Sequence, residues 1–176
     1  MTLSPHSAPD QAPLLRAQPL TPEAFAPYGH VARPGGGEVK MIRDGRVRLS
    51  KSATLFEHLA SAPDATIDFY EVEPEQEVLI ARTIERHERS SQLFCPMQGA
   101  RWLVAVWPEG PEGAPLAFVA GPQDVVTYAP GLWHHGIVAL DRPACFASLM
   151  WKAADRQGDA EFRQLERPVT IGWDAA

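Results

Sequence analysis

Short apolar runs, each ended by Gly or Pro, follow one another through the middle of the chain and restrict the folds open to it. The runs span residues 77–85, 102–107, 116–120, 125–128 and 144–151. Turn residues recur at intervals of roughly 8–12 residues, a spacing typical of all-β sandwiches and barrels and not of alternating β and α units. We therefore predict an all-β fold.

Segments that favour helix are few and short. Thr21 can cap a helix that begins at Pro22, with Glu23 in its first turn. Residues 54–60 favour a helical turn, and residues 159–165 favour a second short helix near the C-terminus. The sequence thus predicts one or two short peripheral helices.

The N-terminus differs in composition from the rest of the chain. Residues 1–17 are rich in Pro, Ala and Ser without periodicity, and we expect them to form a flexible tail. The whole chain has 176 residues and is 45% hydrophobic. This is enough for one well-buried core and too little for two ordinary domains. We therefore predict a single domain over residues 18–176.

The charge balance argues against nucleic acid and anionic membranes as partners. The formal net charge is −6, whereas either partner requires a concentrated basic patch. Arg43, Arg46, Arg48 and Lys51 do cluster, but acidic and apolar neighbours dilute them, and we interpret them as a solvated face. No apolar run approaches the ~20 residues that a bilayer requires. We expect a cytoplasmic protein.

Two stretches, residues 85–99 and residues 123–136, hold three of the six histidines. Because successive side chains of a strand point to opposite faces, Glu85 and His87 share a face. The same rule makes the adjacent His134 and His135 point in opposite directions, so that only one of them can face a barrel interior. The stretches are the candidate functional site.

The spacing within these stretches resembles the two motifs of the cupin superfamily. Gln92, six intervening residues and Gly99 match the second half of the first motif, in which Gln92 replaces a metal-binding Glu. His87 falls where the second histidine of that motif belongs, and Glu85 replaces the first. In the other motif, His134 takes the place of the metal-binding histidine. The resemblance implies a cupin-type double-stranded β-helix, or jelly-roll barrel, with His134 facing inward.

A more specific resemblance, to the bacterial ureidoglycolate lyase family, covers most of the chain from Leu20 to about Lys152. It rests on the segments LTPEAFAPYGHV, ERHERSSQLFCPMQG and VTYAPGLWHHGIVAL. It implies elimination of urea from ureidoglycolate to give glyoxylate, in allantoin and purine catabolism. The chain departs from the family pattern at several candidate substrate contacts, namely Arg43, Thr127, Ala129, Trp151 and Lys152.

The chemistry implied by this resemblance assigns roles to the polar residues. The reaction needs a base, an acid and a cation or metal for the substrate carboxylate, and histidine suits the proton steps. We expect His134 to transfer a proton or bind metal. We expect His87 to act from the opposite side of the substrate. Gln92 is expected to orient the urea or act as a weak oxygen ligand, and Glu85 to bind metal or anchor a histidine. Candidate substrate contacts are Tyr128, His135, Arg43 and Lys152.

The sequence leaves the cofactor and two other functions open. His87, Gln92 and His134 are the candidate ligands of a divalent ion, Ni, Mn, Fe or Zn, and no organic cofactor is expected. One alternative is a hydrolase or isomerase of another small hydroxy- or ureido-acid. Another is a non-catalytic cupin that binds a small carboxylate. We also expect a homodimer, because an open sheet edge favours pairing of subunits.

Overall fold

The computed structural model describes residues 14–54 and 56–174 of the chain. Almost all of its regular structure is strand, which confirms the all-β prediction. The elements are β1 (Leu15–Arg16), β2 (Gln18–Pro19), α1 (Pro22–Phe25), β3 (Gly29–Ala32), β4 (Glu38–Ile42), β5 (Val47–Lys51), β6 (Asp64–Val72), β7 (Val78–Arg86), β8 (Gln92–Gln98), β9 (Trp102–Trp107), β10 (Leu116–Ala120), β11 (Val125–Tyr128), β12 (Trp133–His134), β13 (Val138–Ala139), β14 (Ala144–Lys152) and β15 (Glu161–Gly172).

Two large sheets form the body of the protein. A five-stranded sheet has the order β3-β11-β8-β14-β6, and an eight-stranded sheet has the order β1-β15-β7-β12-β9-β10-β2, with β13 also paired to β9. The main core contains Phe94 and Phe146 of the first sheet together with Trp102 and Val104 of the second. Both sheets therefore bury one face against the other, as in a sandwich or flattened barrel.

The eight-stranded sheet also buries its second face. Leu103, Ala105 and Trp107 alternate with the main-core residues of β9 and pack in a separate cluster with Leu165 and Ile171. The N-terminal segment connects the two ends of this sheet, because β1 pairs with β15 while β2, two residues later, pairs with β10. The sheet thus curls around a second core.

Part of the predicted N-terminal tail takes part in this pairing. Residues 1–13 lie outside the described residues, but Leu15 and Arg16 form β1, and the Ala17 amide donates to the Gly172 carbonyl at 2.8 Å. The sheet therefore begins before residue 18, where the predicted domain starts.

The predicted helix at Pro22 is present as α1. The Thr21 hydroxyl accepts a hydrogen bond from the Ala24 amide at 3.1 Å, and Pro22 occupies the first turn. Phe25 anchors the helix in the main core, where it is fully buried. No helix in the described part of the chain is long and apolar enough to cross a membrane.

The predicted helix over residues 159–165 is wrong. This segment enters β15, which pairs antiparallel with β7 through Glu161 opposite Arg86 and Phe162 opposite Glu85. Pairing with β7 supplies backbone hydrogen bonds and side-chain contacts that override a weak local helix preference. The described residues of the 54–60 segment also form no helix. They include an isolated bridge between His58 and Ser90.

Strands β4 and β5 form a hairpin around Asp44-Gly45 that is separate from the two large sheets. Strands β4 and β5 pair only with each other, and Arg43, Asp44 and Gly45 all adopt positive φ in the turn. This conformation is typical of tight hairpin turns. Arg43 is consequently exposed at the tip of a hairpin.

Candidate active site

Strands from both sheets bring the predicted residues of the site together. His134 on β12 stands opposite Glu85 on the adjacent β7. Directly opposed residues of paired strands carry their side chains on the same face, so both point between the sheets. Gln92 begins β8 of the five-stranded sheet and meets them from the other side. His87 follows β7 by one residue.

The imidazoles and their polar neighbours are buried and close. His134 Nε2 lies 3.1 Å from Gln92 Oε1 and 3.6 Å from Glu85 Oε1. The ring centroids of His87 and His134 are 5.5 Å apart. The exposed fractions of His134, Gln92 and His87 are 1%, 3% and 6%. Two imidazoles, one carboxylate and one carboxamide thus meet in a space largely removed from water.

Backbone carbonyls fix the orientation of both rings. Because a carbonyl oxygen only accepts, Nδ1–H of His87 donates to the Asp159 carbonyl at 2.8 Å, and Nδ1–H of His134 donates to the Leu132 carbonyl at 2.9 Å. Both Nε2 atoms are therefore the ones available to a ligand. His87 Nε2 is buried and has no hydrogen-bond partner among the described residues.

Gln92 and Glu85 surround Nε2 of His134. With the amide oxygen of Gln92 facing the ring, a hydrogen on Nε2 of His134 is needed to donate to it. Glu85 Oε1 lies 3.6 Å from the same nitrogen, so His134 Nε2 faces two oxygen atoms. The site therefore combines a histidine whose Nε2 contacts oxygen acceptors with a histidine whose Nε2 has no partner among the described residues.

Burial and charge move the pKa values of this group in defined directions. Burial lowers the pKa of His87 below its ordinary value of 6.5, and the charge of His134 lowers it further, although the Asp159 carbonyl and Glu85 oppose this. Burial alone would raise the pKa of Glu85. The hydrogen bond from His134 and the charges of three histidines, His134, His87 and His135, outweigh it, and the pKa is lowered. Glu85 is thus held ionised and His87 neutral near pH 7.

Tyr128 packs against the His134 ring. Its ring stacks on His134 with centroids 4.3 Å apart and planes 8° apart. Burial, with a smaller effect of Glu85, raises the pKa of the Tyr128 phenol, so it stays neutral. Tyr128 does not line the cavity in front of the histidines. The structure therefore places it as a packing partner of His134 and not at the position of the predicted substrate contact.

A cavity of about 340 Å³ opens in front of this group, between the two sheets. It is lined by Asp68, Tyr70, Glu85, His87, Gln92, Met150, Lys152, Arg156, Gly158, Asp159, Ala160 and Phe162. Lys152 was expected here and is present, with Nζ 2.6 Å from Asp68 Oδ2. His135 and Arg43 do not line the cavity. The His135 ring contacts the Gly136 carbonyl instead, at 3.0 Å.

Several cavity residues were missed by the sequence reasoning. Asp68 and Tyr70 occupy alternate positions of β6, so polar groups on the inward face of an alternating strand were the available signal. Arg156 and Asp159 lie in the loop after β14, where no strand period applies. Their position depends on how the loop folds back over the sheet.

The polar group fits a divalent transition ion. One ligand atom each from Glu85, His87 and His134 lies within 4.8 Å of the other two. Two imidazoles and a carboxylate form a donor set used for such ions, and both rings have the Nδ1–H to carbonyl contact that orients metal-binding histidines. Of the predicted ligands, His87 and His134 belong to this group together with Glu85, which was expected to bind metal or anchor a histidine, and Gln92 borders it.

A larger groove, about 810 Å³, lies on the other face of β7 and β12. Arg86 and Trp133, the chain neighbours of Glu85 and His134, line it, and the Arg86 guanidinium carbon lies 4.7 Å from the Trp133 ring centroid. No histidine lines this groove. We therefore assign the candidate active site to the smaller cavity, where the acid–base groups converge.

Two packed, largely antiparallel sheets with histidines facing a polar cavity between them define the protein as a cupin-type barrel, as predicted. A model of the ureidoglycolate lyase family matches residues 12–172. The chain belongs to the ureidoglycolate lyase family.

Two bacterial relatives agree with this assignment. The chain is 34% identical over 131 residues to a ureidoglycolate lyase of Stutzerimonas stutzeri, covering 73% of this chain and 77% of that protein. It is 33% identical over 132 residues to a ureidoglycolate lyase of Pseudomonas fluorescens, covering 73% and 78%. Among solved structures, a dTDP sugar isomerase from Desulfovibrio desulfuricans is similar at 21% identity and a TM-score of 0.47, covering 80% of this chain and 87% of that one.

Proposed function

We propose that the protein is a ureidoglycolate lyase that eliminates urea from ureidoglycolate to give glyoxylate, in allantoin and purine catabolism. The observation that carries the proposal is the close pairing of two buried histidines: His87, whose Nε2 has no partner among the described residues, and His134, whose Nε2 lies 3.1 Å from Gln92 Oε1. Family membership and the names of the relatives support the same reaction. A base and an acid on one substrate are what this elimination requires.

Proton transfers at two atoms account for the reaction. His87 Nε2 takes the proton of the substrate hydroxyl, and the electron pair of that O–H bond forms the carbonyl of glyoxylate. The C–N bond breaks, and its electrons remain on the urea nitrogen, which receives the proton from His134 Nε2. Loss of the proton from His87 to solvent and uptake of one by His134 restore the starting state. The lowered pKa of His87 keeps its base form available near neutral pH.

The remaining polar groups orient the substrate. The Gln92 carboxamide, next to His134, is suited to hydrogen bond the urea group that departs. The Glu85 carboxylate lies 3.6 Å from His134 Nε2, the atom from which the proton is transferred. Lys152 contributes positive charge to the cavity that receives the substrate carboxylate.

Binding of a divalent ion, Ni, Mn, Fe or Zn, is the alternative to these proton steps. Glu85, His87 and His134 would hold the ion, with Gln92 beside them, and the two Nε2 atoms would then be ligands and not proton carriers. When bound, such an ion supplies Lewis acidity toward the hydroxyl and carboxylate of the substrate. Elemental analysis of untagged protein, followed by assays after chelation and after readdition of each metal, identifies the ion.

Incubation with ureidoglycolate, with glyoxylate and urea measured separately, tests the proposed reaction. Equal amounts of both products are expected, and His134→Ala should abolish them while leaving the circular dichroism spectrum intact. Release of ammonia in place of urea would favour the hydrolase. Saturable carboxylate binding without turnover, with or without added metals, would favour the non-catalytic binding protein. An active His134→Ala variant would remove that residue from the mechanism.

We also propose that the protein is a cytoplasmic homodimer. The five-stranded sheet ends at β6, where Ile67 and Phe69 point outward and are 61% and 66% exposed. An apolar edge strand of this kind is a favourable surface for a second copy. Light scattering of the purified protein measures the mass in solution, and a mass of one chain at micromolar concentration would contradict the dimer.

A further inference from the structure

Two cationic residues line the cavity, and they differ in their partners. Lys152 Nζ is 2.6 Å from Asp68 Oδ2, and only 17% of its side chain is exposed, so its charge is largely balanced. Arg156 lines the same cavity and has neither a salt bridge nor a side-chain hydrogen bond to the described residues. Arg156 is thus an exposed arginine at the border of the cavity whose side chain forms no ion pair or hydrogen bond with the described residues.

The backbone at Arg156 is unusual for an arginine. Its φ is 56°, in the left-handed region that favours glycine, and its amide donates to the Ala153 carbonyl at 2.8 Å to close a turn. No hydrogen bond or ion pair of the side chain with the described residues compensates for this conformation. A strained residue whose side chain has no structural partner at the edge of a catalytic cavity fits a role in ligand binding.

The loop that carries Arg156 is tied to the catalytic centre. The Asp159 carboxyl accepts a hydrogen bond from the Ala153 amide at 2.9 Å, and the Asp159 carbonyl accepts the bond from His87 described above. Outside the cavity, Arg89 donates to the Gln157 carbonyl at 3.0 Å. Arg156 is thus presented by a short, anchored loop whose end also orients His87.

We propose that Arg156 binds the carboxylate of the substrate, a small 2-hydroxy acid, and so determines specificity for acids. This inference rests on the proposed function for the identity of the substrate. A guanidinium can hold a carboxylate through two parallel hydrogen bonds, which fixes the orientation of the acid as well as its position. His87 lines the same cavity and is hydrogen bonded to Asp159, three residues after Arg156, so an acid held by Arg156 would share the cavity with the proposed base.

Replacement of Arg156 by Gln or Lys, compared with wild type, tests the proposal. Loss of a charge-assisted pair should raise KM for ureidoglycolate about tenfold to hundredfold. The rise in KM should be smaller in Arg156→Lys than in Arg156→Gln, because lysine keeps the positive charge but lacks the planar guanidinium. The matched control is Arg82→Gln, an exposed strand arginine outside both cavities, which should leave KM unchanged.

Calorimetric titration with glycolate separates this proposal from the reaction. Arg156→Gln should weaken glycolate binding by a similar factor, even if the wild-type protein fails to cleave ureidoglycolate. Arg156→Gly, which relieves the positive φ, should unfold at a temperature no lower than wild type and still lose glycolate binding. Wild-type affinity for glycolate in Arg156→Gln, or no binding of glycolate to the wild-type protein, would overturn the proposal.

Discussion

Replacing Asp159 by alanine is expected to weaken both the fold and the reaction, because one residue joins the cavity loop to the base. The Asp159 side chain is 9% exposed, and it accepts the hydrogen bond of the buried Ala153 amide at 2.9 Å. Alanine leaves that amide without a partner, at a cost of about 1–3 kcal/mol. For a chain of this size the midpoint of thermal unfolding should fall by about 2–4 °C for each kcal/mol.

The catalytic effect should follow from the other contact of the same residue. The Asp159 carbonyl receives Nδ1–H of His87 at 2.8 Å, and a loosened loop no longer fixes the ring with Nε2 toward the cavity. Loss of groups that orient a functional histidine typically costs about tenfold to hundredfold in activity or metal affinity. We expect kcat to fall by this factor in Asp159→Ala.

Two further variants serve as controls for this prediction. Asp159→Asn keeps an oxygen for the Ala153 amide and replaces Oδ2, which has no partner among the described residues, so stability and kcat should stay near wild type. Asp155→Ala, in the same loop, removes only an exposed bond to the Gln157 amide and should change little. Urea unfolding and steady-state kinetics provide the measurements. A wild-type kcat in Asp159→Ala, or equal losses in the alanine and asparagine variants, would refute the reasoning.

Two other outcomes are expected at the histidine centre. Because burial holds the pKa of His87 below 6.5, the base form persists as pH falls to 6.5 and is lost only below it; an acid limb of kcat/KM centred above pH 6.5 would contradict this assignment. Gln92→Glu places a second carboxylate beside His134 and should raise Zn²⁺ affinity about tenfold or more by equilibrium dialysis. The control is Gln98→Glu, exposed at the end of the same strand, and equal Zn²⁺ affinity in both variants would argue against a metal site at Gln92.

The residues that a strand period could place were predicted well. The alternation rule put Glu85 and His87 on one face and allowed only one of His134 and His135 to face inward. In the structure Glu85, His87 and His134 form one group, whereas His135 does not line the cavity. Such predictions succeed because successive side chains of a strand point to opposite faces, so that one known side chain fixes the direction of its neighbours.

Residues whose position depends on loops or on distant pairing were not predictable in the same way. Arg156 and Asp159 reach the cavity only because the loop after β14 folds back and is closed by the Asp159 side chain. The segment over residues 159–165 lacked a clear strand signal, and its conformation is decided by pairing with β7, more than 70 residues earlier in the chain. Arg43, a predicted substrate contact, lies outside the cavity because its hairpin pairs with neither large sheet.

The second core explains how an acid–base pair is held rigidly between two thin sheets. Strand β7 directs Glu85 into the cavity and buries Ile84 on its other side, and β12 directs His134 toward Glu85 and buries Trp133 on its other side. If the eight-stranded sheet were open, these second-face residues would meet water and the strands would be free to shift. The segment over residues 15–19 connects the two ends of that sheet and keeps the second face covered. The N-terminal segment, which is far from the cavity in the chain, therefore contributes to the fixed 3.6 Å separation of Glu85 and His134 on which the proposed proton transfer depends.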